Sequence, residues 1–241
     1  MKIIHAVWEK RNLGKDTMEF EIEPADPAEE TVKTILANEK QYNVVKVPTG
    51  DIRMNRLLSE NGYFYIESMV NMTNDLRENN IQPIYQRLCR EISYDTMNSD
   101  DISGLYCELE KGLFTTDRIA LDPEFSARIA GKRYINWIKD ETGRGAVVFK
   151  MIYRNDIINF LICKQISGNT YSPFLTSMYE KYIKSGLGVP CLFKSIEICR
   201  NMGAERLVTN VSSNNQSSLK GNLLAGYRIN CIKNVFIKHV N

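Results

Sequence analysis

The most constraining feature of the sequence is a series of three strand-like runs that leads into a two-glycine turn and then a helix. The runs are Ala146 to Tyr153, Ile157 to Ile166 and Pro173 to Tyr182, and residues typical of hairpin turns separate them. The turn is Ser185-Gly186-Leu187-Gly188, and the apolar spacing after it is that of a packed helix. Antiparallel strands feeding such a turn exclude a doubly wound dinucleotide-binding fold, in which strands and helices alternate.

The chain beyond this turn predicts a second helix and two more strands. A strand-like run at Arg206 to Val211 comes first, and a helix from about Asn215 to Ala225 follows it. The pair Gly226-Tyr227 ends that helix, and a last strand extends to about Lys238. The predicted order from Ala146 onward is therefore three strands, a loop, and then helix, strand, helix and strand.

A glycine turn between a strand and a helix is suited to phosphate binding. Backbone N–H groups converge there, and the helix dipole places partial positive charge at the same point. A side chain at Gly186 or Gly188 would keep a pyrophosphate away from the backbone, and Lys184 adds a cation. The turn is too short for a Walker A loop, and Cys191 stands where a dinucleotide-binding turn has its third glycine. A tight turn that merely joins strand to helix is the alternative.

The first 82 residues are predicted to form a small α/β domain. Strand-like and helical runs alternate there, at residues 3–7, 28–38, 44–47, 52–61 and 63–69. A polar run at residues 71–80, followed by Pro83, interrupts the hydrophobic pattern, so we place a domain boundary between residues 82 and 83. In the second domain, residues 83–241, apolar residues at helical spacing between 100 and 139 predict helices that cover the strands.

Composition and charge argue against several classes of protein. The formal net charge is +2 and the basic residues are scattered, so neither a nucleic-acid surface nor a polybasic membrane patch is expected. The apolar run at the amino terminus is too short for a signal peptide or a membrane span, which favours a cytoplasmic protein. Six cysteines lie far apart and there are 2 histidines, so no metal site is expected.

The segment from Tyr179 to Ile229 resembles the acetyl-CoA-binding core of the GNAT N-acetyltransferases, and the resemblance extends over about residues 146–241. In that family a Gln/Arg-x-x-Gly-x-Gly/Ala stretch holds the CoA pyrophosphate, and the matching stretch here is Ile183 to Gly188. Ile183 departs from the pattern because it cannot supply the usual polar side chain. The backbone amides of the turn are still available, so weakened contacts are expected.

A second stretch of the resemblance lies in the following helix. The family often shows Asn-x-x-Ala-x-x-x-Tyr-x-x-x-Gly-Phe, and the same spacing here reads Asn215, Ser218, Asn222, Gly226 and Tyr227. An ordinary amphipathic helix ended by glycine accounts for Gly226 but not for an asparagine at the helix start.

The resemblance implies an α/β (α+β) GNAT fold, with a mixed, mostly antiparallel sheet flanked by helices. A smaller, degenerate GNAT-like α/β domain would precede it. Diffuse similarity, near Trp8, at residues 44–47 and around Tyr134 to Trp137, points to two-domain enzymes that acetylate dTDP-linked amino sugars. The implied activity is acetyl transfer from acetyl-CoA to a primary amine of a small molecule, without a metal or nucleic acid. A homodimer is compatible with this interpretation.

The resemblance also implies which residues bind the cofactor. They are the end of the third strand, the glycine turn and the start of the second helix: Met178, Ile183, Lys184, Ser185, Gly186, Leu187, Gly188, Val189, Asn215 and Ser218. The strand predicted to end at Tyr182 would splay from its neighbour and leave unpaired N–H groups near Met178 and Tyr179 to polarise the thioester carbonyl.

The catalytic acid and base stay open at this level. The family's usual acid is a tyrosine, but the corresponding residue is Asn222, which cannot donate a proton as an acid. Tyr179, Tyr227 or water would take that role, and Glu180 on the third strand or a water chain would act as the base. A non-catalytic acyl-CoA-binding module is the alternative function. Transfer of aminoacyl groups from tRNA, as in related tandem folds, and a partner-binding role rank lower.

Overall fold

The computed structural model describes residues 1–76 and 81–240. The strands in this part of the chain are β1 Lys2–His5, β2 Thr17–Glu21, β3 Tyr42–Pro48, β4 Phe64–Asn74, β5 Ser93–Thr96, β6 Val147–Tyr153, β7 Asp156–Ser167, β8 Thr170–Met178, β9 Arg206–Ser212 and β10 Arg228–His239. The α-helices are α1 Val7–Leu13, α2 Ala28–Ala37, α3 Ile52–Glu60, α4 Pro83–Glu91, α5 Ser99–Glu110, α6 Arg118–Leu121, α7 Ala127–Gly143, α8 Gly188–Asn201 and α9 Gln216–Leu224. A short 3₁₀ helix, Glu180–Tyr182, lies between β8 and α8.

The strands form one ten-stranded sheet in the order β1-β2-β3-β10-β4-β9-β8-β7-β6-β5. Neighbouring strands are antiparallel except for the pairs β2/β3 and β8/β9, which are parallel. Helices α2, α3, α4, α8 and α9 cover one face of the sheet, which we call the α8 face. Helices α1, α5, α6 and α7 lie on the opposite face, the α7 face. A hydrophobic core therefore lies on each side of the sheet.

Local sequence chemistry fixes the elements near the glycine turn. The hairpin between β6 and β7 turns at Arg154 and Asn155, whose φ angles are 51° and 69°, and asparagine tolerates this left-handed region better than most residues. Helix α8 carries Pro190 in its first turn, where a missing N–H costs little, and Gly203 follows its end with a φ of 93°. These signals place α8 directly after β8 and its 3₁₀ turn.

The chain contains a structural repeat. The series β2-α2-β3-α3-β4 has the same order and the same parallel strand pair as β8-α8-β9-α9-β10. Asp51 caps α3 and Asn215 caps α9, each accepting a backbone N–H three residues ahead. Both helices lead to a Gly-Tyr pair whose tyrosine is buried, Tyr63 in the first unit and Tyr227 in the second. The two halves are therefore copies of one supersecondary unit.

The two halves exchange their last strands. β10, from the second half, lies between β3 and β4 of the first half. β4, from the first half, lies in turn between β10 and β9. Backbone hydrogen bonds therefore run without interruption from one half to the other. The domain boundary proposed near residue 82 stays a prediction, and residues 77–80 of the polar run lie outside the described part of the chain.

Most predicted elements from residue 146 onward are confirmed, with one error of consequence. β8 ends at Met178 and the next residues form the 3₁₀ helix, so the predicted strand end at Tyr182 is wrong. In the first half the prediction missed α1 and β2, and after Pro83 it missed α4 and β5. The missed elements are short, four to nine residues, so each gives few residues over which a period can be recognised.

Because β10 lies between strands of the first half, we expect both halves to unfold together. Trp8 lies in the first half and Trp137 in the second, so variants that keep one tryptophan each report on one half. Phe236 of β10 is 4% exposed. Phe236→Ala should lower the free energy of unfolding by about 3–5 kcal/mol and shift both tryptophan signals to the same lower urea midpoint.

The control is Ile229→Ala, on the same strand at a position that is 50% exposed. It should change the free energy of unfolding by about 0.5 kcal/mol or less. Separate urea midpoints for the two tryptophans would contradict a shared, cooperative sheet.

Candidate functional site

The parallel strands β8 and β9 separate soon after they meet. They pair at Thr170 with Arg206 and at Tyr171 with Leu207, and no further pair joins them. Beyond that point the Thr209 hydroxyl donates a hydrogen bond to the Pro173 carbonyl at 3.1 Å. The sheet therefore opens between the later residues of the two strands, as the splay expected from the sequence requires.

Pro173 gives the separation a physical cause. A strand residue directs its N–H and C=O groups to the same side, and the Pro173 carbonyl faces β9. Proline has no N–H, so the donor missing here is one that would have continued the ladder to β9. The pairing of β8 with β7 also shifts register between Ile162 and Cys163, opposite Phe174, and a bulge of this kind bends and twists its strand.

The end of β8 presents backbone donors to the opening. Tyr179 donates its N–H to the Ile158 carbonyl of β7 at 2.9 Å, so the prediction that this N–H is unpaired is wrong. Successive residues of a strand point their N–H groups to opposite sides. The N–H groups of Met178 and Thr176 therefore point away from β7 and into the opening between β8 and β9.

The glycine turn has the geometry of an anion cradle. Gly186 has a φ of +79°, a region that favours glycine. A Cβ added at Gly186 or Gly188 would meet no atom within 4 Å, so both positions border open space. The Leu187 N–H donates to the Ser185 hydroxyl at 3.2 Å, and no side chain caps α8. The N–H groups of Gly188 and Val189 therefore begin the helix with no intrahelical acceptor, which fits a pyrophosphate.

The side chains around the cradle are mostly in solvent. Residues 183–186 and Gly188 are exposed, Leu187 is buried, and Val189 is half-buried. Ile183 is 56% exposed, an unusual position for an isoleucine, and Lys184 next to it supplies the turn's cation. The predicted cofactor residues Met178 and Lys184 to Val189 thus lie together, along the end of β8 and the start of α8.

The asparagines of α9 serve the helix itself. Asn215 accepts the Ser218 N–H at 3.0 Å and so forms the N-cap. Asn222 is 6% exposed and donates to the Ser218 carbonyl at 2.8 Å and to the Ser218 hydroxyl at 3.2 Å. Capping explains an asparagine at position 215 without a ligand. Asn222 is committed to its own helix turn and carries no acidic proton.

The three remaining candidates have very different surroundings. Tyr227 is 3% exposed, and burial, with the nearby Cys199, raises its pKa far above the ordinary value, so it is a core residue. Glu180 is exposed on the 3₁₀ helix and not on the third strand, which corrects its predicted position. Burial, with Glu108 and Asp101, raises the pKa of Tyr179 to about 12, and its hydroxyl is buried without a hydrogen-bond partner in the described residues.

Tyr179 also lines an open pocket of about 210 Å³ on the α7 face of the sheet. The other lining residues include Glu108 of α5, Asp156 at the start of β7 and Tyr182 of the 3₁₀ helix. The Tyr182 hydroxyl hydrogen-bonds the Asp156 carboxylate. The 3₁₀ helix lines this pocket and is followed directly by the glycine turn, so both features lie at the C-terminal end of β8.

A buried ion cluster on the α7 face, which the sequence analysis missed, borders the opening from the other side. Arg118 of α6 binds Glu19 of β2 at 2.7 Å and Glu9 of α1 at 3.4 Å. Arg133 of α7 binds Glu9 at 2.8 Å and Asp117 at 3.8 Å. The cluster ties the segment after α5 to the first half of the chain.

Glu67 of β4 lies beside this cluster and was also missed. It is 7% exposed and accepts the Arg118 N–H at 3.3 Å. Burial raises the pKa of Glu67, against lowering contributions from the Ser212 hydroxyl and Arg118. The sequence holds one signal for it, a single charged residue in the apolar run Phe64 to Val70. Such a residue in a strand is usually at the surface, so sequence alone does not select it.

The equivalent region of the first half lacks both features of a cofactor site. β2 and β3 pair at five successive positions, from Thr17/Tyr42 to Glu21/Lys46, so no opening forms. The loop between β2 and α2 has no glycine, and Asp26 in it binds the amino group of Met1 at 2.7 Å. In the described residues, the anion cradle and the splay occur together in the second half.

Comparisons with known proteins show the fold of this chain. No family model matches the sequence, and no curated protein matches it significantly. A GCN5-related N-acetyltransferase from Sphaerobacter thermophilus superimposes with a TM-score of 0.61 at 12% identity, covering 92% of this chain and 73% of that one. A tandem GNAT protein from the clavulanic acid biosynthesis pathway gives 0.57 at 10% identity, with 92% and 75% covered.

A third structure is a glucosamine N-acetyltransferase region in a fungal multi-domain β-N-acetylglucosaminidase. Its TM-score is 0.64 at 10% identity, with 98% of this chain and 31% of that chain covered. The architecture expected from the sequence, a mostly antiparallel sheet with flanking helices, is thereby confirmed. Among the described residues, no helix is long and apolar enough to cross a membrane, and no group of three or more His, Cys, Asp or Glu side chains is placed to hold a metal ion.

The ion cluster makes stability depend on pH. Burial alone would raise the pKa of Glu19, but Arg118 and Lys46 lower it from its ordinary 4.5 to about 2 in the folded protein. This difference contributes about 3 kcal/mol, present in full above pH 4.5 and lost as the pH falls toward 2. Glu19→Gln should therefore reduce the free energy of unfolding at pH 7 and flatten its decline in acid.

Urea unfolding at several pH values between 2 and 7 measures this effect. Glu30→Gln, at an exposed position in the first turn of α2, is the control and should leave the acid slope unchanged. If the free energies of unfolding of the wild type and of Glu19→Gln fall in parallel down to pH 2, disruption of the ion cluster is not what destabilises the protein in acid.

Proposed function

The chain has the GNAT fold, and on that premise we propose that it is an acetyl-CoA-dependent N-acetyltransferase acting on a primary amine of a small molecule. The observation that carries the proposal is the combination of the β8/β9 opening with the glycine turn at its end. The first offers the Thr176 and Met178 N–H groups, and the second offers the free amides of Gly188 and Val189.

Two parts of the chain form the proposed cofactor site, the glycine turn and the end of β8. The amides at Gly188 and Val189, with Lys184 beside them, would bind the pyrophosphate. The Met178 and Thr176 N–H groups would bind the pantetheine arm and polarise the thioester carbonyl. When bound, acetyl-CoA supplies the activated acetyl group. Donors already aimed at the carbonyl oxygen stabilise the charge that develops there without rearranging.

Proton transfer to the departing thiolate is proposed for Tyr179 or for water. Tyr179 is protonated at neutral pH, as an ordinary tyrosine is, and burial raises its pKa further, to about 12. Its hydroxyl is buried and has no hydrogen-bond partner among the described residues, so no bond within the protein has to break before it donates a proton. Asn222 and Tyr227 are not proposed, because one is bonded within α9 and the other lies in the core.

An amino sugar, either free or linked to a nucleotide, is the acceptor we propose within this class. The support is a diffuse resemblance of the sequence to enzymes acting on dTDP-linked amino sugars, together with the fold shared with a glucosamine N-acetyltransferase region. The chain's first half would form one wall of the acceptor cleft, because the ion cluster holds α6 against α1 and β2.

A non-catalytic acyl-CoA-binding module is the second candidate function. The observation that favours it is Asn222, whose side chain is occupied by Ser218 at the position where the family usually has its tyrosine acid. Cofactor binding without thiol release for any amine would support this candidate over the enzyme.

Gly186→Glu tests the cofactor site. The new carboxylate would lie in the open space beside the turn and repel the pyrophosphate, so acetyl-CoA binding measured by calorimetry should disappear. Gly145→Glu is a matched control, because Gly145 also has a positive φ, +95°, and also borders open space. It shares the backbone strain and should keep wild-type affinity. Equal affinities for all three proteins would place the cofactor elsewhere.

Tyr179→Phe tests the proposed acid. Removing a buried hydroxyl that lacks a partner should cost no stability, and acetyl-CoA affinity should be unchanged. If Tyr179 donates the proton, kcat should fall by about 10²-fold or more. Tyr153→Phe, which removes a hydroxyl from the end of β6, should keep the wild-type kcat. A wild-type kcat for Tyr179→Phe would assign the proton to water instead.

A further inference from the structure

Glu67 differs from the other buried acids of the described chain in forming no ion pair within 4.0 Å. The buried carboxylates there are Glu9, Glu19, Glu67, Asp122 and Glu141. Glu9 and Glu19 bind arginines, Asp122 binds His239 and Glu141 binds Lys164, each within 4.0 Å. Glu67 makes no ion pair at that distance with any described residue. Buried acids are seldom left unpaired, because desolvation of the charge is costly.

The strand register places Glu67 at the mouth of the opening. β4 pairs with β9 up to Met69 and Ser212, where β9 ends, and Glu67 lies two residues farther along β4. β9 is level with β8 at Leu207 and Tyr171, so Ser212 is level with about Thr176. Glu67 is therefore level with the end of β8. No strand lies between them there, because β9 has already ended.

Glu67 approaches the opening from the face opposite the cofactor cradle. Its neighbour across β10 is Val235, which packs in the core of the α7 face, and its hydrogen-bond donor is the Arg118 N–H of α6. The glycine turn leads into α8 on the other face. An acyl group entering from the α8 face and an amine entering from the α7 face would meet between the strands.

The charges around Glu67 leave its carboxylate available. Arg118 faces it from α6 and lowers its pKa, but the Nη2 group of Arg118 binds Glu19 and Glu9, and its Nε–H is buried without a partner among the described residues. Asp117, which precedes α6, and Tyr134 of α7 also lie within electrostatic reach. Asp117 is engaged by Arg133 and by the Tyr134 hydroxyl at 2.9 Å. Glu67 accepts one backbone N–H and lies beside the Ser212 hydroxyl, so lone pairs remain free.

We propose that Glu67, on the strand that the first half contributes to the second, is the catalytic base that deprotonates the acceptor amine. This inference rests on the proposed acetyltransferase function. Glu67 takes one proton from the ammonium form of the acceptor, and the freed lone pair attacks the thioester carbonyl carbon. A C–N bond forms and the C–S bond breaks. The thiolate gains the second nitrogen proton, through Tyr179 or water, and Glu67 returns its proton to solvent.

Glu67→Gln is the central test, with glucosamine as the probe amine and thiol release as the readout. Glutamine keeps an acceptor oxygen for the Arg118 N–H but cannot take a proton. We expect kcat/KM to fall by about 10²-fold or more and the acidic limb of its pH profile to disappear, with acetyl-CoA affinity unchanged. The melting temperature should equal or exceed that of the wild type, because an unpaired buried charge is removed.

Glu141→Gln is the matched control, since Glu141 is equally buried but paired with Lys164 and Arg144 away from the opening. It should lower the melting temperature and leave the pH profile of kcat/KM unchanged. A merely structural role for Glu67 would give the same pattern as this control, with stability lost and the acidic limb kept.

A measurement without turnover uses protein labelled with ¹³C at its glutamate carboxyls. One resonance of the wild type should titrate above the ordinary glutamate range, and it should be absent from Glu67→Gln. If the glutamine variant does not fold, Glu67→Asp replaces it, and its acidic limb should move together with a lower kcat/KM. Wild-type activity and an unmoved limb in either variant would overturn the inference alone. Cofactor binding by the wild type without acetylation of any tested amine would overturn the inference and the proposed activity together.

Discussion

The separation of β8 from β9 is the constraint on which the candidate site depends. A parallel pair inside a large sheet normally continues its ladder, because unpaired backbone groups are costly when buried. Here Pro173 removes a donor at the point where the strands separate, the bulge at Phe174 bends β8, and the Thr209 hydroxyl donates to the Pro173 carbonyl. The donors beyond that point, at Thr176 and Met178, are left facing a gap. A ligand with acceptor groups along its length is the natural partner for such a row.

The exchange of β4 and β10 lets the sheet tolerate that gap. Each half passes its last strand to the other, so the sheet on the far side of the opening is held by the long pairings of β4 with β9 and of β10 with β3 and β4. The first half has a closed β2/β3 pair and an acidic loop in place of the glycine turn. It has the same supersecondary order without the cofactor geometry, and it contributes a wall, an ion cluster and Glu67 to the opening of the second half.

How far the sequence predicted this structure differs between local and long-range features. The glycine turn and the order of elements from Ala146 onward follow from short-range rules, and the structure has them. Asn215, which the sequence analysis assigned to the cofactor, caps α9 in the structure. The predicted position of Glu180 was wrong because apolar and aromatic residues continue past Met178 to Tyr182. Their pattern does not show that the strand ends at Met178. Glu67, Arg118 and Glu9 could not be brought together from sequence, since their proximity depends on the strand exchange and on the packing of α6.

Hydrogen exchange with and without acetyl-CoA tests the central claim, that the opening and glycine turn of the second half bind the cofactor. We predict that acetyl-CoA slows exchange of the amides between Thr176 and Val189. Exchange in the corresponding loop of the first half, residues 22–30, should be unchanged. Protection of residues 22–30, or no protection anywhere at saturating acetyl-CoA, would contradict the account. Within the described chain, an anion cradle lies beside a row of free strand donors only in the second half.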